Sequence, residues 1–149
     1  MKDNPFLGKW TYRSFLNDPN LAVPSGGGDP DVNPLLFGYG TIVIEEAAPE
    51  LLTGTIGGGG WSLKLHGSRA YGSPMQVRFQ GKGIVSGAEW IYDYIGWLVP
   101  VWPNSDATKQ RAAIVGSVTR TIPHPTGKDG KAIAPAGVVA SFYAVYAGE

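Results

Sequence analysis

The sequence predicts an all-β fold, an eight-stranded antiparallel up-and-down β-barrel, and three observations point to that class. Large apolar side chains recur at every second position along many short segments, which is the pattern of strands. The 22 glycines and 12 prolines supply turns and disfavour long helices. The segments are evenly spaced, so consecutive strands should pair, and closing the sheet removes its exposed edges. A two-layer β-sandwich without a cavity is the alternative.

The first strand is predicted over Phe6–Phe15, where Trp10 and Tyr12 share one face. The segment Asn17–Pro34 that follows is predicted to be a loop, because it is dense in Asp-Pro, Gly-Gly-Gly and Asn-Pro turn signals. Long connections are often lids or binding loops, so we place this one near the mouth of the barrel. A plain surface excursion is the other interpretation.

Four more strands follow with short connections between them. They are predicted over Gly38–Glu46, Glu50–Ile56, Trp61–Arg69 and Met75–Gly83. The first two of these should form a hairpin. The glycine run 57–60 supplies the next turn; no Lys-Ser/Thr follows it, so it is not a phosphate-binding loop.

The sixth strand is predicted in the aromatic segment 89–102, which holds three of the five tryptophans and two of the seven tyrosines. Trp90, Tyr92 and Tyr94 share one face of this strand, and the opposite face carries Asp93. Both faces carry large side chains, so the pattern leaves open which one lines the interior.

The last two strands are predicted over Arg111–Ile122 and Gly137–Ala147, on either side of a second long loop, Pro123–Pro135. His124 lies between two prolines in this loop and is interpreted as an ordinary loop residue. His66 shares a strand face with serines and a lysine, which favours a solvated outer face over a polar patch in the lumen.

Composition narrows the functional classes. Lys plus Arg and Asp plus Glu each total 12, and no basic run occurs, so a nucleic-acid partner is not expected. The absence of cysteine excludes disulfides and thiolate zinc sites, and no motif indicates a metal or cofactor. No apolar run reaches the ~20 residues of a membrane helix, and the N-terminus lacks the apolar region of a signal peptide. We expect one cytoplasmic domain over residues 1–149 without membrane insertion.

Three short segments resemble strands of known barrels. Gly8-Lys9-Trp10 is similar to the Gly-x-Trp that opens lipocalins and avidins, and residues 52–55 and 96–102 look like avidin-family strand segments. The resemblance implies a barrel of the calycin group, to which both families belong. It does not imply biotin binding, because Ile56 and Tyr12 stand where the avidin pattern has a biotin-contacting tyrosine and an asparagine.

Aromatic side chains provide the candidate ligand-binding site. If Trp90, Tyr92 and Tyr94 face the lumen, the pocket is an aromatic box with phenol donors, which suits a planar or apolar ligand. A solid aromatic core without a cavity is the alternative. The predicted ligand-binding residues are Trp10, Tyr12, Trp61, Arg78, Trp90, Tyr92 and Tyr143.

Charged residues in the strands provide candidate catalytic and anion-binding groups. If Glu89 and Asp93 face the lumen, apolar surroundings would favour a protonated carboxyl group that can act as general acid or base. An outward pair, or a pair neutralised by an arginine, is the alternative. Arg13, Arg78 and Arg120 each lie mid-strand, where one could bind an anionic ligand group, although an outward position is the ordinary explanation.

Three functions remain open from the sequence. The first is binding of a small, largely apolar or aromatic molecule inside the barrel. The second is a cyclase or isomerase in which the cavity shapes a flexible substrate and Asp93 or Glu89, with Tyr92 or Arg78, moves a proton. The third is a structural or interaction protein whose aromatic faces pack between the subunits of a homo-oligomer.

Overall fold

Alternating side chains turn one face of each strand inward, and the strands close on themselves. The computed structural model describes residues 4–16, 35–101, 110–126 and 130–148. The strands are β1 (Gly8–Leu16), β2 (Leu36–Glu45), β3 (Leu51–Gly58), β4 (Trp61–Ala70), β5 (Gln76–Val85), β6 (Ala88–Val99), β7 (Ala113–Arg120), β8 (His124–Thr126), β9 (Ala132–Ala134) and β10 (Val139–Gly148). Eight of them form a closed barrel in the order β1-β10-β7-β6-β5-β4-β3-β2, and every neighbouring pair is antiparallel.

The closed, up-and-down barrel predicted from the sequence is confirmed, and the sandwich alternative is wrong. The main difference lies in Pro123–Pro135, predicted as a loop, because β8 and β9 pair there as a separate two-stranded sheet. The predicted loop Asn17–Pro34 and Trp102 lie outside the described residues. Within the part of the chain that the structure describes, no helix has the length and apolar character needed to cross a membrane.

Close approach between neighbouring strands requires glycine at particular positions. A Cβ atom added to Gly116 of β7 would lie 1.9 Å from the carbonyl oxygen of Ile95 on β6. A Cβ atom added to Gly67 of β4 would lie 2.0 Å from the carbonyl oxygen of Arg78 on β5. No side chain fits at such distances, so these glycines let the strands coil tightly enough to close the barrel.

One end of the barrel is filled by side chains. Trp10 is fully buried, donates its indole N–H to the carbonyl oxygen of Phe6 at 2.8 Å, and meets the ring of Tyr146 edge-on at 5.2 Å. The buried guanidinium of Arg69 donates to the carbonyl oxygen of Pro49 at 2.6 Å and to adjacent carbonyls of the β2–β3 turn. This end is therefore sealed, and any guest molecule must enter from the other end.

Candidate functional site

The barrel contains a cavity of about 420 Å³ at the end opposite Trp10, where β1 ends and β2 begins. This volume lies within the range of small-molecule sites, roughly 300–1,000 Å³. Seven of its lining residues are aromatic, namely Tyr12, Phe37, Tyr39, Trp61, Trp90, Tyr92 and Tyr94. The polar side chains of the lining belong to Ser14, Arg120, His124 and Thr126.

The inward face of β6 provides the largest share of the aromatic wall. Trp90, Tyr92 and Tyr94 alternate with the half-buried Ile91 and the exposed Asp93, and all three rings line the cavity. The two faces of this strand, which the sequence left open, are thus assigned: the rings point inward. The same alternation on β1 turns Tyr12 and Ser14 into the cavity.

A β-bulge adds Phe37 to the wall. Ser14 pairs with Gly38, whereas the next residue, Phe15, pairs with Leu36, so Phe37 is an extra residue on β2. A bulge re-aims the side chain of the extra residue. The ring of Phe37 accordingly lines the cavity and meets the ring of Tyr92 edge-on at 6.1 Å.

Two buried phenols form the floor of the cavity. Tyr94 stacks on Phe79 at 4.8 Å, and Tyr12 packs against Phe142 at 5.7 Å. Burial raises the pKa of both Tyr12 and Tyr94 well above the ordinary tyrosine value of 10.0. The neighbouring phenol of Tyr12 raises the pKa of Tyr94 further, whereas hydrogen bonds with Ser14 and Tyr94 partly offset the effect of burial on the pKa of Tyr12. Both hydroxyls therefore stay neutral near pH 7 and serve as hydrogen-bonding groups.

A chain of hydrogen bonds joins Arg120, Tyr92 and His124 on one side of the cavity. Nε of Arg120 donates to the Tyr92 hydroxyl oxygen at 3.1 Å, and that oxygen lies 2.8 Å from Nε2 of His124. Nδ1 of His124 lies 3.0 Å from the carbonyl oxygen of Pro125, which can only accept, so Nδ1 carries a proton. In the neutral imidazole Nε2 is then an acceptor, and Tyr92 donates its hydroxyl proton to it.

Three separate elements bring this chain together. Arg120 ends β7 in the same inward phase as Ile114 and Val118. The β8–β9 hairpin carries His124 against β6, where its ring stacks on Trp90 at 4.1 Å and it is buried. Stacking and hydrogen bonding together hold the imidazole in one orientation.

The structure places four of the seven predicted ligand-binding residues in the cavity wall and three elsewhere. Tyr12, Trp61, Trp90 and Tyr92 line the cavity. Trp10 points inward but fills the sealed end, so its assignment to the pocket lining is corrected. The assignments of Arg78 and Tyr143 are corrected as well, because both side chains are exposed on the outer face of the barrel. Their strand neighbours Phe79 and Phe142 are buried and point inward, and successive side chains of a strand point to opposite faces.

Both predicted catalytic carboxylates also lie on the outer face of β6. Glu89 is exposed and pairs with Lys82 at 3.7 Å. Asp93 is exposed and accepts hydrogen bonds from Gln80 and Thr121. Because Trp90, Tyr92 and Tyr94 point into the barrel, the side chains of Glu89 and Asp93, which alternate with them along β6, point outward. The structure therefore has the outward pair that the sequence left open as the alternative, and neither carboxylate lies in the lumen.

His124 is a residue of the cavity wall that the sequence analysis did not assign to the site. Its interpretation as an ordinary loop residue is corrected, because it is buried in the cavity wall. The prolines on either side of His124 lack an N–H group, which is compatible with a short edge strand such as β8. They are the one local feature of the sequence that could have indicated this strand. Arg120 could have been assigned more firmly, since it continues the inward phase of Ile114 and Val118.

Comparisons of the chain with protein-family models, with curated proteins and with solved structures found no match. The resemblance to calycins therefore stays a prediction. Function has to be argued from the chemistry of the site, because a barrel fold alone is compatible with many functions.

The two buried phenols predict a loss of stability in alkaline solution. Their folded-state pKa values are raised, so above about pH 10 the unfolded chain releases these protons while the folded chain retains them. The stability that they contribute is complete below pH 10 and is lost as pH rises towards the folded-state pKa. The free energy of unfolding should fall by up to ~1.4 kcal/mol per pH unit for each tyrosine.

Urea unfolding from about pH 8 to pH 11.5 measures this slope. Tyr12→Phe removes one titrating group and should make the slope shallower. Tyr143→Phe, at the exposed outer face, is the control and should leave the slope as in the wild type. Equal slopes in all three proteins would contradict the prediction.

Proposed function

We propose that the protein binds a small, planar, largely apolar or aromatic molecule in the open end of the barrel. The observation that carries this proposal is the cavity of about 420 Å³, in which aromatic walls surround a few polar groups. That combination is typical of small-molecule sites. An eight-stranded barrel has room for one small ligand of this kind.

The arrangement of the rings favours a planar ligand. Trp61 and Trp90 lie 6.5 Å apart at an interplanar angle of 32°, and Trp90 is itself braced by the stacked ring of His124. Rings that are held in place before binding lose little conformational entropy when a ligand packs against them. Offset or edge-on contacts with such rings add roughly 0.5–1.5 kcal/mol each beyond area burial.

The positions of Asp93 and Glu89 do not favour a carboxylate-assisted cyclase or isomerase. That hypothesis required Asp93 or Glu89 to reach a substrate in the lumen, and both side chains lie outside the barrel. Proton transfer needs a group within hydrogen-bond reach of the reacting atom. The outward position of both carboxylates therefore gives this hypothesis no support.

Self-association is a second candidate property, and the outer face of β6, β7 and β10 favours it. Trp97 pairs with Val115, which pairs with Tyr143, and both aromatic side chains are substantially exposed, at 42% and 50%. Val99 and Val145 extend the same exposed apolar face, which carries no charged side chain between residues 95 and 99 or 139 and 145. An isologous dimer brings a patch against its own copy, where an uncharged surface avoids like-charge repulsion. We therefore propose that a second copy of the chain covers this face.

N-phenyl-1-naphthylamine, a neutral aromatic fluorophore, tests the binding proposal. Its fluorescence should rise and tryptophan fluorescence should be quenched when it enters the cavity. Gly38→Leu should weaken binding about tenfold or more, because a Cβ at Gly38 would be in ordinary contact with Ser14 at 3.4 Å and the rest of the side chain would fill the cavity.

Two control variants complete this test. Gly72→Leu adds the same side chain at an exposed glycine outside the cavity lining and should bind like the wild type. Asp93→Asn changes the outer face and should also leave binding as it was. Absence of wild-type binding, or equal binding by the Gly38→Leu and Gly72→Leu proteins, would contradict the proposal.

Sedimentation velocity tests self-association separately. The wild-type chain should sediment as a dimer, and Tyr143→Asp should shift it towards monomer, because the new charges would face each other across the interface. Ile84→Asp places the same charge at an exposed position away from this face and should leave the dimer intact. A monomeric wild type at tens of micromolar would disprove the candidate interface.

A further inference from the structure

The aromatic cavity contains a cation, Arg120, that pairs with no acidic side chain of the described residues. Arg120 lines the cavity, and none of the other lining residues is Asp or Glu. Among the described residues the ion pair found is Lys82–Glu89 on the outer face, and no carboxylate contacts the Arg120 guanidinium. Arg120 is half-buried in the cavity wall, and a ligand with a negative charge would complement it.

The guanidinium is held in a fixed position by groups that do not neutralise it. Nε donates to the Tyr92 hydroxyl and Nη1 donates to the carbonyl oxygen of Pro135, both at 3.1 Å. The guanidinium carbon also lies over the rings of Phe37 and Tyr92, at 4.9 and 5.8 Å. Nη2 has no hydrogen-bond acceptor in the described parts of the chain, so one edge of a preorganised donor remains available.

The neighbouring polar atoms make this side of the cavity rich in donors. The Tyr92 hydroxyl donates its proton to His124 and accepts a hydrogen bond from Nε of Arg120. It therefore does not occupy Nη2 of Arg120, which stays available to a ligand. The indole N–H of Trp90, in the same wall, is buried and has no acceptor in the described chain. A buried donor without a partner destabilises the protein, so a ligand atom that accepts a hydrogen bond would be favoured here.

We infer that the aromatic ligand carries one carboxylate, which Arg120 binds through its Nη2 edge. This inference rests on the proposed function. Arginine donates to carboxylate oxygens with charge-assisted hydrogen bonds, which are roughly twice as strong as neutral ones. A single arginine, with no lysine in the cavity lining, matches a single negative charge rather than a phosphate dianion. The rings supply the remaining contacts, so the ligand class is a planar aromatic monocarboxylate.

Calorimetric titration with 2-naphthoate and 2-naphthamide tests this inference, because the two probes differ only in the charged group. The wild-type protein should bind 2-naphthoate at least ~tenfold more tightly, as expected for a hydrogen bond to a charged group. In Arg120→Gln the ratio of the two dissociation constants should fall to near one. Arg120→Lys retains the charge without the planar fork and should give an intermediate ratio. Arg78→Gln, which removes an outer-face arginine, should keep the wild-type ratio.

The outcomes separate this inference from the proposal on which it rests. If the neutral fluorophore and 2-naphthamide bind but 2-naphthoate has no advantage in the wild type, the carboxylate inference is wrong and the aromatic pocket stands. A preference that persists in Arg120→Gln also overturns it, because the charge is then recognised elsewhere. If none of the probes binds the wild type, the proposed function fails and the inference fails with it. Should Arg120→Gln not fold, Arg120→Lys takes its place, and a ratio equal to that of the wild type in this variant would overturn the inference.

Discussion

The structure depends on one constraint: a closed barrel turns every second side chain of eight strands into a single lumen, and the lumen must be packed or left hollow. At one end the inward side chains of Trp10 and Arg69, together with Phe6 just before β1, fill the lumen, and the Arg69 guanidinium donates to carbonyl oxygens of the β2–β3 turn. At the other end the inward rings line a cavity of about 420 Å³. This asymmetry between a sealed and a hollow end is what gives the barrel a site.

Polar groups in the hollow end are satisfied mostly by one another. The chain from Arg120 through Tyr92 and His124 to the carbonyl oxygen of Pro125 has a single direction, because arginine only donates and a carbonyl only accepts. It joins β6, β7 and the β8–β9 hairpin, so the wall is held from three sides. The same chain orients Arg120 beside aromatic rings without neutralising it, and no acidic side chain in the described ranges pairs with this charge.

The sequence predicted the barrel and the inward phase of single strands better than the positions along the barrel axis. Alternation identifies Trp10 and Tyr12 as sharing a face, but the stagger between strands decides that Trp10 fills the sealed end while Tyr12 lines the cavity. On β6 both faces carry large side chains, so only the neighbouring strands could assign Asp93 to the outside. Phe37 and His124 reach the wall through a bulge and a hairpin, features of register and tertiary contact that leave little trace in local pattern.

The central claim, that a planar aromatic molecule occupies the open end, is tested most directly by nuclear magnetic resonance of the indole N–H groups during titration with N-phenyl-1-naphthylamine. Trp61 and Trp90 line the cavity, Trp10 lies in the sealed end and Trp97 lies on the outer face, so these four indoles report on three different places. We predict that the Trp61 and Trp90 resonances shift with the titration while those of Trp10 and Trp97 stay fixed. Unchanged Trp61 and Trp90 resonances, or a shift confined to Trp97, would contradict the account.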